Sequence, residues 1–307
     1  MARVLNVLLP GREKLAFVAD FAAWLARGTA LPERMPGYLS ALAEQFRWPG
    51  GPLPAAALIR QAVAGDAGDA RWLCADPAWV QAELNGARLL GCGNLAVSPT
   101  DAVAMVQALR ETFAEHGMNL HVGDPQHWQL SVPVDLPLPA FPEPEDALGA
   151  DFFTQLPQGE EGRRWRALLN EAQVVLHHLP ENAARVRDGL PPVNSVWLWG
   201  AGTLPAWVEC GQGRIYSDDL LVWALGQKAN VDVQSRSVFS ARARVGDEPV
   251  AFTLLDLQDV QPSLFDRSWW PLLRERLDAG HELRLSFADG HRVVLRKRHR
   301  LRFWRTP

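Results

Sequence analysis

The feature that most narrows the possible folds is how the chain begins. Val4–Leu9 is an unbroken apolar run, cut off at once by Pro10-Gly11. A run of that length bounded by a turn signal fits a short strand buried on both faces. It is too brief for a signal-peptide core or a membrane span. From Lys14 the spacing changes, and Phe17, Phe21, Trp24 and Leu25 recur at helical intervals. A buried strand feeding an amphipathic helix is the repeating unit of layered α/β sheets.

The alternation continues. Helices are predicted over 36–46 and 54–64, parted by Trp48-Pro49-Gly50-Gly51-Pro52. A strand is predicted over 71–75, a helical turn or helix over 77–84 and a short apolar segment over 87–90. Ser98 is a helix N-cap with Pro99 at the first helical position and Asp101 at the positive end, so a helix runs to about His116 and stops at Gly117. Strands follow near 119–122 and 127–132. Residues 133–144 are rich in proline and acid and read as an extended connection. A helix is expected over 161–177, a strand over 196–199, an amphipathic segment over 217–225, and strands over 250–255, 283–287 and 292–295. Asp289-Gly290 is a hairpin turn between the last two. The expected division is 1–69 as an N-terminal strand plus helices within the core, 70–135 as a smaller α/β subdomain, and 136–307 as the remainder of the core.

With 48% hydrophobic and 21% charged residues, the 307-residue chain has an ordinary globular composition. A net charge of −4 argues against a protein built as a whole to coat nucleic acid. Cys74, Cys92 and Cys210 are odd in number and far apart, which opposes a disulfide framework, and no zinc spacing occurs. A cytoplasmic protein with no membrane partner is the expectation. The thirteen tryptophans are scattered and are assigned to packing.

Residues 175–205 read VLHHLPENAARVRDGLPPVNSVWLWGAGTLP. The order of Asn182, Arg185, Gly189, Pro192, Asn194, Gly200, Gly202 and Pro205 resembles a stretch of the archaeal-type, cofactor-independent phosphoglycerate mutases of the alkaline phosphatase superfamily. There the run is His-Pro-x-Asn, Arg, Gly, Pro-Ala-Asn, then an apolar strand ending in Arg-Gly-x-Gly. The Trp197–Gly202 run, the 71–82 segment and the terminal Arg302-Phe303-Trp304-Arg305 are similar to the bacterial RpfE-type regulatory proteins, an offshoot of that family. The resemblance implies an alkaline-phosphatase-like layered sheet with flanking helices. It also implies a pocket near Asn182, Arg185, Arg187, Asn194, Trp199, Gly200 and Gly202 that takes a small anionic ligand or a protein partner.

The departures carry as much weight. Trp199 stands where the mutases have Arg, which exchanges a phosphate-forking cation for an apolar ring. The first strand ends in Leu9-Pro10-Gly11-Arg12, where the mutases have an Asp-Gly metal-binding turn. The mutases' downstream nucleophilic Ser or Thr has no evident counterpart. Two-metal phosphoryl transfer needs several carboxylate and His ligands. The nearest candidates are Asp256, Asp259, Asp289 and His291, which would hold Mn or Mg only if the chain is an enzyme. The leading expectation is therefore a catalytically degenerate regulatory protein without a cofactor, with an active mutase or related phosphoester enzyme as the alternative.

Three further groups carry polar chemistry. His177-His178 ends a helix, where His complements the dipole. His121 and His127 flank a turn holding Asp124, a set that suits either a metal or phosphate site or solvated side chains beside a hairpin. The tail from His291 to Arg305, with Arg292, Arg296, Lys297, Arg298, Arg300, Arg302 and Arg305, offers a nucleic-acid reading against a solvated edge strand.

Overall fold

The structure, a computed structural model, describes residues 3–84, 86–244, 252–302 and 304. It is mixed α/β, with multi-stranded sheets and flanking helices, and divides into two compact units. One combines 1–49 with 207–307 and the other is 50–206. The second unit is wider than the 70–135 subdomain expected, because the 55–64 helix packs on its sheet and the 195–202 strand pairs within it.

In the first unit seven strands form one sheet. The order is Val233–Gln234, Arg214–Tyr216, Thr253–Asp256, Val4–Leu9, Glu282–Phe287, Arg292–Leu295 and Thr29–Ala30. The first five are parallel, Arg292–Leu295 runs antiparallel to Glu282–Phe287, and Thr29–Ala30 runs antiparallel to Arg292–Leu295. Strand periodicity sends Leu5, Val7 and Leu9 into one core with Phe21, Trp24, Phe265, Trp270 and Phe287. Phe21 meets Phe265 and Trp270 edge-on at 4.9 and 4.8 Å.

Local readings here need adjustment. The first helix is interrupted at 16–18, so Arg12–Leu15 and Ala19–Arg27 are separate and Phe17 is left 61% exposed. Only Tyr38–Ala43 of the 36–46 segment is helical, and Phe46–Arg47 pairs with Glu209–Cys210 as strand. The strand expected from 250 begins at Thr253, and 250 and 251 lie outside the described residues. Arg292–Leu295 is covered by Thr29–Ala30 and is followed by a 3₁₀ turn over Lys297–Leu301, so the tail is not an edge strand. Phe303 and Arg305 lie outside the described residues.

The second unit is antiparallel. Arg71–Glu83 is a single thirteen-residue strand. Ser195–Gly202 pairs along one edge, while His127–Val132 and then Gly86–Cys92 share the other. The helical turn or helix expected over 77–84 is thus strand as far as Glu83. Pairing on both edges, with Pro77 opposite Val196 and Ala78 opposite both Ser195 and Cys92, overrides the local Pro-Ala signal. The helix over Pro99–Ala114 starts as read, with Ser98 Oγ accepting from Asp101 N at 3.1 Å. Among the described residues, no helix is long and apolar enough to cross a membrane.

Candidate functional site

Functional groups in open parallel sheets gather beyond the carboxyl ends of the strands. In the first unit that edge carries Ser217, just past Arg214–Tyr216, and Asp256, the last residue of its strand. Both are buried, and Ser217 Oγ donates to Asp256 Oδ2 at 2.8 Å. Asp219, the N-cap of the Leu220–Lys228 helix, donates its N–H to Ser217 Oγ at 3.0 Å. Burial, and then the Asp219 charge, push the Asp256 carboxyl up to about 7. The buried Tyr38 phenol titrates well above its usual range, through burial first and then Asp219 and Asp256.

Beside this pair lies an arginine clamp. Arg236 Nε donates to Asp218 Oδ2 at 2.8 Å, and its two terminal nitrogens fork onto Asp259 at 2.5 and 3.1 Å. Burial works against the Arg236 charge, but Asp259 and Asp218 outweigh it and hold the guanidinium more firmly protonated than usual. A second clamp joins the turns after two neighbouring strands. Arg12 Nε donates to Asp289 Oδ2 at 2.9 Å, and this outweighs burial to hold the Asp289 carboxyl low. His291 Nε2 lies 2.9 Å from Glu33.

The four weak metal candidates therefore fall into two groups, Asp256 with Asp259 and Asp289 with His291. One aspartate in each is ion-paired to arginine. A divalent cation needs several oxygen or imidazole donors turned to one point. Among the described residues no three His, Cys, Asp or Glu side chains meet that condition. The donor set, with guanidinium groups already seated on its carboxylates, does not fit a two-metal centre.

The pocket residues implied by the resemblance all lie in the second unit. Asn182 is buried, and its amide donates to Leu176 O and Val193 O, both at 2.7 Å, and accepts from Val193 N. Arg185 is buried and donates to the carbonyls of Leu95, Ala96 and Pro191. Asn194 extends the sheet ladder, its side chain taking Val80 N at 2.8 Å and giving to Val80 O at 2.7 Å. Arg187 is exposed on the Pro180–Arg187 helix. Gly200 has φ of +63°, and a Cβ there would lie 2.8 Å from Ala55 Cβ. At Gly202 a Cβ would come within 2.5 Å of Pro54 Cβ. The glycines thus let the strand exit close against the start of the Ala55–Ala64 helix.

Trp199 is buried and donates its Nε1 to Asp76 Oδ2 at 2.7 Å. The other oxygen of the buried Asp76 lies 3.2 Å from His127 Nδ1. His127 is thus engaged by Asp76, while Asp124 caps its own turn through Gln126 N. His178 bonds Val174 O, a helix-end role.

Sequence reasoning missed Tyr38, Asp76, Ser217, Asp219 and Arg236. Asp219 had a usable signal, an N-cap before an apolar run. Asp76 had none, because its partners lie 51 and 123 residues away.

No protein-family model matches the chain. Over 95 residues it is 35% identical to a "Probable 2,3-bisphosphoglycerate-independent phosphoglycerate mutase" of Geobacter sulfurreducens, and 32% identical to the 2,3-bisphosphoglycerate-independent phosphoglycerate mutase of Methanosarcina barkeri. Each match covers 29% of this chain and 24% of the relative, so the chain spans about a quarter of the length of the curated relatives it matches. Among solved structures, the PH0037 protein from Pyrococcus horikoshii aligns over 96% of this chain and 87% of its own, at 12% identity and a TM-score of 0.46. The cofactor-independent phosphoglycerate mutase from Thermoplasma acidophilum aligns over 96% and 90%, at 16% identity and a TM-score of 0.39. The chain carries a partial homology to cofactor-independent phosphoglycerate mutases.

Proposed function

We propose that this chain is a catalytically degenerate relative of the phosphoglycerate mutases, of the RpfE regulatory type. On this reading it is a bacterial cytoplasmic protein on an alkaline-phosphatase-like layered scaffold. It works by binding a small anionic ligand or a protein rather than by turnover. One observation carries the reading: at the strand ends where phosphoryl chemistry would need metal-binding carboxylates, Arg236 occupies Asp218 and Asp259, and Arg12 occupies Asp289. A fixed guanidinium repels a divalent cation and consumes the oxygens that would bind it. Within the same unit, a polar cavity of about 540 Å³, lined in part by Glu44, Gln45, Cys210 and the Arg47–Glu209 ion pair, has the size of a small-molecule pocket.

The test is conversion of 3-phosphoglycerate to 2-phosphoglycerate by purified protein supplied with Mn²⁺ or Mg²⁺. No turnover, and no Mn²⁺ retained after gel filtration, is expected. A second reading rests on Ser217 and Asp256, since a hydroxyl donating to a carboxylate that titrates near 7 is the geometry of a nucleophile with its base. Phosphoglycerate turnover abolished by Ser217→Ala would establish that reading and overturn the first.

A further inference from the structure

We propose that the 3₁₀ turn Lys297–Leu301, together with Trp304, docks this protein on an anionic lipid bilayer. The turn is held from beneath. His299 is fully buried, with Nδ1 accepting from Arg296 N at 3.3 Å. Arg302 donates to Arg27 O at 3.1 Å and to Thr29 Oγ1 at 3.2 Å. Between and beyond these anchors the segment turns its chemistry outward. Lys297, Arg298 and Arg300 are exposed and have no carboxylate partner among the described residues. Their basic neighbours Arg292 and Arg296, by contrast, are ion-paired to Glu44 and Glu282. Leu301 is 63% exposed and Trp304 67% exposed.

Single exposed apolar residues need no explanation, but two within four positions beside three cations without a carboxylate partner among the described residues form a pattern. It opposes the chain's net charge of −4, so it is a local feature and not a consequence of overall composition. Cations with neighbouring Trp and Leu are the composition that partitions into the headgroup region of an anionic bilayer. Single-stranded nucleic acid instead calls for a groove with successive stacking platforms, and Leu301 offers no face for stacking. A peripheral contact of this kind needs no spanning segment, so it is compatible with the lack of one. Each cation near such a surface strengthens binding about five-fold, and the attraction fades beyond about 8 Å at physiological salt.

The experiment is sedimentation of the full chain with vesicles of phosphatidylcholine alone, or of phosphatidylcholine mixed with phosphatidylglycerol. Binding to the mixed vesicles only, weakening as salt rises, is expected. The triple variant Lys297→Gln, Arg298→Gln, Arg300→Gln should bind them about 100-fold more weakly. The pair Leu301→Ser, Trp304→Ser should also lose binding, with the circular-dichroism spectrum of both variants unchanged. Equal binding to neutral vesicles, no binding to either, or a triple variant as tight as the parent overturns the proposal. So does binding to a single-stranded RNA oligonucleotide in place of the mixed vesicles.

Discussion

Replacing Asp256 by Asn should make the unit built from 1–49 and 207–307 more tolerant of alkaline conditions. Asp256 is 3% exposed, and its carboxyl is raised from 3.8 to about 7 by burial and by Asp219. The folded state therefore holds this proton more tightly than the unfolded chain does. The stabilisation is complete below about pH 4, falls as pH rises, and is gone above about pH 7. A shift of about three units at about 1.4 kcal/mol each is worth ~4 kcal/mol. Asn keeps the shape and an acceptor, never ionises, and can still meet Ser217, whose hydroxyl both donates and accepts.

The measurement is urea unfolding of the parent and Asp256→Asn, followed by circular dichroism at about pH 4.5 and about pH 8, where linkage predicts a change of about 3 kcal/mol in favour of Asn. Asp219→Asn should reproduce part of that change, since Asp219 is the second cause of the shift. If the difference between parent and Asp256→Asn stays constant to about 0.5 kcal/mol across the range, the buried carboxyl is not carrying this proton and the reasoning fails.

Other outcomes follow from the second unit. Asn182→Ala leaves Val193 N and two carbonyls without their partner, so thermal unfolding should show a loss of about 2–4 kcal/mol. Gly200→Ala combines a positive φ with a close approach to Ala55 and should cost about 1–3 kcal/mol by the same assay. Trp199→Phe keeps an aromatic ring but removes the pyrrole portion of the buried indole with its donor to Asp76, for a loss of about 1–3 kcal/mol. A Trp199→Phe protein as stable as the parent would show that the indole N–H is dispensable.

Elements whose signals are local were legible in the sequence. Val4–Leu9, the Ser98-capped helix and the Asp289-Gly290 hairpin depend on neighbouring residues, and each forms where its residues predict. The 77–83 part of the Arg71–Glu83 strand was not legible, because Ala and Pro have weak strand preference and its conformation comes from Ser195–Gly202 and Gly86–Cys92. The Ser217–Asp256 pair was hidden for a related reason. Its members are 39 residues apart on separate strands, and only the parallel register of 214–216 with 253–255 brings their ends together.

The two units also explain how a resemblance and a departure can coexist in one chain. Every residue that carried the resemblance in 182–205 lies in the second unit, whereas Asp256, Asp259, Asp289 and His291 lie in the first. Asn182, Arg185 and Asn194 spend their polar atoms on backbone groups, and Gly200 and Gly202 allow a close strand-to-helix approach. Folding by itself constrains residues in such roles, because replacing any one orphans a buried group or forces a clash. Their persistence is therefore accounted for without turnover. The carboxyl edge of the first unit is under a different constraint, since Arg236 and Arg12 stabilise the very carboxylates that a metal centre would need free. On the proposed reading, ancestry is read from the second unit and activity from the first. A Trp199→Arg exchange would then restore the expected motif in the second unit without restoring phosphoglycerate turnover. Turnover appearing in that single variant would show that the arginine clamps are not what silences the site.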